Sequence, residues 1–153
     1  MLAAALPAHA DLFSWQGDLF VTNVNDPAAC SAIGLNIGTF GRGVFRPKGL
    51  GTNGTVDLLA FHMSRSAFHL APTGDGNLHQ ATAATVHYLY GSGGFRESTN
   101  VALSGVTVAP NSGYTENTAT FKIKLQVKNI FPPQVGPSGC NATFQGTLAR
   151  RLN

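Results

Sequence analysis

The chain has 153 residues, 43% of them apolar and only 11% charged, with a formal net charge of +3. At this length one domain with a substantial core is expected, needing neither a metal nor several crosslinks. Low charge with ordinary hydrophobicity excludes a disordered chain. The basic residues are dispersed, only Arg150 and Arg151 being adjacent, which argues against the clustered patch of a nucleic-acid partner.

The chain opens on small apolar residues that end in Ala8-His9-Ala10, the A-x-A form of a signal-peptidase site, followed by Asp11. Residues 1–10 are read as the remnant of a signal peptide and 11–153 as a single β-barrel domain. The expected location is extracytoplasmic, periplasmic or secreted. No later stretch is apolar for long enough to cross a membrane as a helix.

Beyond Asp11 there are short alternating runs separated by Gly, Pro, Asn and Ser, and no long segment with a helical period. Gly17 to Val24 reads as the first strand. Asn25-Asp26-Pro27 ends it, because Pro cannot donate to a ladder. Ala28 to Ile33 reads as a short helical turn carrying Cys30. The second strand is expected over Leu35 to Arg46, with Gly38, Gly41 and Gly43 marking a bend or a close backbone approach. Thr55 to Met63 and Ser66 to Leu70 form a hairpin around Ser64-Arg65. Ala81 to Tyr90 and Asn100 to Val108 follow, with Phe95 to Thr99 as an alternative start to the latter.

Thr120 to Lys128, extending towards Ile130, has the strictest alternation in the chain. Phe121, Ile123, Leu125 and Val127 face one way, and Lys122, Lys124, Gln126 and Lys128 the other. Asn141 to Arg150 is the eighth strand, setting Ala142, Phe144, Gly146 and Leu148 against Thr143, Gln145, Thr147 and Ala149.

These runs predict an all-β fold, an eight-stranded antiparallel meander β-barrel, with a β-sandwich as the alternative. Cys30 and Cys140 are the only cysteines, and one disulfide is expected in an exported chain. Cys30 follows the first strand and Cys140 precedes the eighth. In a closed barrel those two places are neighbours, so the bridge favours closure. The architecture is calycin-like and resembles that of lipocalins and avidins. Their early Gly-x-Trp signature is reversed here as Trp15-Gln16-Gly17, so the resemblance is to an architecture and names no family.

No catalytic signature is present: no G-x-S-x-G, no H-E-x-x-H, no P-loop. The leading expectation is an exported, non-enzymatic barrel binding a small apolar ligand inside. The ligand-binding residues would be Phe61, Met63, Phe68, Tyr88, Tyr90, Phe121 and Phe144. Ala81, Ala83, Ala84, Ala102, Gly105, Ala142 and Gly146 would leave room beside them, though a filled interior is equally compatible with the pattern. No cofactor is expected. The alternatives are a structural or protein-interaction role on the polar outer face and, less favoured, a barrel isomerase or cyclase using Tyr88, Tyr90 or an inward arginine, or an outer-membrane barrel. His62, His69 and His87 fall on the outer face of three neighbouring strands if the hairpin register holds. Three solvated histidines are a better reading of that than a metal site.

Overall fold

A computed structural model describes residues 13–48, 56–63, 66–74, 78–90, 94–109, 117–130 and 139–152. The elements are β1 (Phe13–Val24), α1 (Pro27–Ser31), β2 (Phe40–Arg46), β3 (Leu58–His62), β4 (Ser66–Pro72), β5 (Ala83–Tyr90), β6 (Gly94–Ala109), β7 (Thr120–Ile130) and β8 (Cys140–Leu152). The strands close into a barrel in sequence order, each pairing antiparallel with the next and β8 with β1. Among the described residues, closure gives every strand a neighbour on both sides.

Alternation decides which side of each strand faces in. Ile123, Leu125 and Val127 of β7 are buried, while Lys122 and Lys124 are exposed. On β8, Ala142, Phe144 and Leu148 are buried and Gln145 and Thr147 exposed. The interior is therefore apolar and the outer wall polar, the reverse of a membrane barrel with an aqueous lumen. No helix among the described residues is long and apolar enough to cross a membrane.

Besides later starts of β3 and β5, at Leu58 and Ala83, and a later end of β4, at Pro72, three details differ from the sequence expectation. First, β2 begins at Phe40 and not Leu35. Gly38 adopts φ 85, a left-handed conformation that turns the chain, and its N–H donates to Val21 O at 2.9 Å. The Leu35 N–H turns back to Cys30 O, and the buried Leu35 side chain packs into the core. Second, Ala102 points outward, paired with Ala83, because Val101 and Leu103 take the inward positions of β6. Third, β1 and β6 start earlier than expected, at Phe13 and Gly94.

The glycines of β2 do mark a close approach. A Cβ at Gly41 would run into the carbonyl oxygen of His62 on β3. Register shifts at Val21/Asn23, Ala84/Val86, Ser104/Thr107 and Val127/Ile130 add the coiling that a small barrel needs. Asn129, in the last of these, sits at φ 56, which Asn tolerates better than most residues.

Both ends of the barrel are tied. At one, Val24 pairs with Ala142, and Cys30 of α1 is disulfide-bonded to Cys140 across 110 residues, with Cα atoms 4.8 Å apart. Asp26 caps α1 by accepting from the Ala29 N–H. At the other, the buried Trp15 donates its indole N–H to Thr118 O at 2.8 Å. The carboxylate of Asp57, fully buried, accepts from the backbone N–H of Lys48 at 2.7 Å and of Leu78 at 2.6 Å. It joins the chain after β2 to the chain before β5.

Candidate functional site

The interior residues expected to meet a ligand do converge. Phe61, Phe68, Tyr88 and Phe144 all point inward, none more than 2% exposed. Three of the rings meet, and Tyr88 stands opposite Phe68 on the neighbouring strand. Phe144 lies edge-on to Phe61, with ring centroids 5.7 Å apart, and tilted against Phe68 at 5.1 Å. Such spacing is that of packed aromatic pairs. Met63 is only partly buried and packs at the margin of the core. The side chains of Tyr90 and Phe121 lie outside the described residues. Of the small residues, Ala84 and Ala142 are buried and face in, Gly146 lies opposite the inward Leu19 and Ile123, Ala81 packs at the margin of the core, Ala83 pairs with the outward Ala102, and the side-chain position of Gly105 lies outside the described residues.

Among the described residues, the outer wall carries two clefts. The larger, about 710 Å³, crosses β1, β8 and β7. Asp18, Phe20, Thr22, Lys122, Lys124, Gln145, Gly146 and Thr147 line it. Beside it Phe20 and Phe40 are paired across β1 and β2, with rings 6.2 Å apart and well exposed at 44% and 68%.

The second cleft, about 470 Å³, crosses β1 to β4. Gln16, Arg42, Val44, Arg46, Leu58, Ala60, His62 and His69 line it. Alternation on β2 makes it: Gly41, Gly43 and Phe45 turn in, so Arg42, Val44 and Arg46 turn out. Arg42 donates to the side-chain oxygen of Gln16. His62 and His69 meet at the cleft margin, with ring centroids 5.2 Å apart.

The hairpin register places these histidines as expected. His62 pairs with Ala67, His69 with His87, and His87 with Glu97, whose carboxylate lies 3.1 Å from His87 Nδ1. Among the described residues no three donors converge on a point that would hold a metal ion. The His69 imidazole is held below its ordinary pKa of 6.5, first by burial, then by His62, His87 and Arg46. Its Nε2 is buried and has no hydrogen-bond partner among the described residues.

Sequence reasoning singled out the two histidines but missed Gln16, Arg42, Arg46 and the apolar residues between them. The signal was available in β2, where Arg42 and Arg46 occupy one face at a spacing of four. Only the register shows that this face adjoins the histidines. No family model matches the chain, and comparison with curated proteins and with solved structures returns no significant match to either.

Proposed function

We propose that the protein is an exported, non-enzymatic barrel that recognises its partner or ligand on its outer wall, with the interior serving as scaffold. The observation that carries this reading is the contrast between the two sides. Phe61, Phe68 and Phe144 pack ring against ring inside, whereas both clefts, the arginines and lysines that line them and the exposed Phe20–Phe40 pair lie outside. Export is supported by the Cys30–Cys140 disulfide, which suits an oxidising compartment, and by Ala8-His9-Ala10.

A small apolar ligand in the interior is the second reading. It is favoured by the aromatic lining of Phe61, Phe68, Tyr88 and Phe144, and it requires Phe144 to move from its place against Phe61 and Phe68. A small-ligand screen read by NMR chemical-shift mapping separates the two. Ligands that shift Thr22, Val44, Leu58 or Thr147 while Leu125 and Val127 stay still support the wall. Ligands that shift Leu125, Val127 and Phe144 support the interior and overturn the wall reading.

A further inference from the structure

Gln16, Val44, Ala60, His69, His87 and Glu97 form one lateral row across the barrel wall, each directly opposite the next. Val44 and Ala60 are short and central, so the row dips between Gln16 and His69. Along the strands, the pair Arg42 and His62 flanks the dip on one side, and Arg46 and Leu58 flank it on the other. The result is a trough with an apolar floor and a guanidinium at each end, their Cα atoms roughly 13 Å apart at ordinary strand rise.

Among the described residues, no carboxylate lines this trough. Among the described residues neither Arg42 nor Arg46 has a carboxylate at ion-pair distance. Asp18 stands opposite Arg42 on β1, but it lines the other cleft, and Arg42 reaches to Gln16. A bare inorganic anion would satisfy a guanidinium and leave the floor wet. An uncharged apolar molecule would cover the floor and leave both guanidinia without a counter-charge. A molecule with both parts answers the whole surface, and a planar carboxylate matches the two-pronged donor face of arginine.

We propose that this trough binds a small organic carboxylate, whose head pairs with Arg42 or Arg46 and whose apolar body covers Val44, Leu58 and Ala60. The inference rests on the reading of the wall as the recognition surface. It has a signature in His69. The charged and titratable groups that face His69 are His62 on β3, Arg42 and Arg46 on β2, and His87 on β5 with Glu97 behind it on β6. A bound anion offsets the cations among them, so His69 takes up a proton more readily in the complex. By linkage, binding tightens as pH falls through the histidine range.

The test is an NMR titration of the full chain with benzoate. Benzyl alcohol serves as the same ring without charge, and inorganic phosphate as charge without the ring. Benzoate is expected to shift the Val44, Leu58 and His69 signals and to raise the His69 pKa. It should weaken by about tenfold or more in Arg42→Gln or Arg46→Gln, and with added salt. Both variants leave the packed interior untouched. Benzyl alcohol or phosphate binding as tightly as benzoate, or unchanged benzoate binding in both variants, would overturn the proposal. Benzoate shifts confined to Phe20 and Thr147 would refute the trough and leave the wall reading standing. Shifts at Phe61 and Phe144 would refute both.

Discussion

Phe144 of β8 meets Phe61 of β3 edge-on across the barrel interior, with ring centroids 5.7 Å apart. The two strands are not neighbours in the sheet, so this contact joins opposite walls. Phe144 also packs on Phe68 of β4. Its removal should leave a void that the surrounding strands cannot close. Phe144→Ala is expected to cost about 3–5 kcal/mol of folding stability, measured by urea denaturation. A loss near zero would mean that the interior is already loose.

Cys30 and Cys140 lock the end of the seam where β8 closes on β1. The bridge spans 110 residues, so it removes many conformations from the unfolded chain. In the chain-entropy view that is worth about 4–5 kcal/mol. The double variant Cys30→Ser with Cys140→Ser should lose roughly that much in chemical denaturation. Mass spectrometry after alkylation, with and without reductant, should find no free thiol in the oxidised protein.

Asp57 is a small side chain with a large structural role. With its carboxylate removed, the backbone N–H groups of Lys48 and Leu78 lose their acceptor. Asp57→Ala is expected to destabilise by about 2–4 kcal/mol, and Asp57→Asn, which keeps one carbonyl oxygen, by less. Thermal denaturation of the two variants against the parent provides the comparison.

His69 makes stability depend on pH. Its folded pKa lies below the ordinary 6.5, through burial and then through His62, His87 and Arg46. The unfolded chain therefore takes up the proton first. The stability associated with the neutral imidazole is fully present above the unfolded value and is lost as pH falls through the lowered folded value. His69→Gln should lessen the fall in melting temperature between about pH 7 and about pH 5. An identical fall in both proteins would contradict the assignment.

Much of this fold is legible in the sequence because alternation is a local property. The run from Phe121 to Lys128 fixes its own inward face, and the expected hairpin register, with His62 opposite Ala67, is the observed one. The cysteine positions anticipate closure because an antiparallel barrel returns its last strand to its first. What could not be read is what depends on several strands at once. Val44 and Ala60 become the floor of a trough only when β2 and β3 pair in one particular register. Asp57 reads as an ordinary acid near the start of a strand until the segments at Lys48 and Leu78 are brought to it. The failure at Leu35 has a different cause. Its hydrophobicity suits a strand, but Gly38 turns the chain, and Leu35 is buried without joining the sheet.

The claim that recognition lies on the wall depends most directly on the interior being full. Xenon enters apolar voids that water leaves empty, and it is located readily by diffraction. A crystal of the protein under xenon pressure is predicted to show no xenon among Phe61, Phe68, Tyr88 and Phe144. A well-occupied xenon atom between those rings would contradict the account and return the ligand site to the barrel interior.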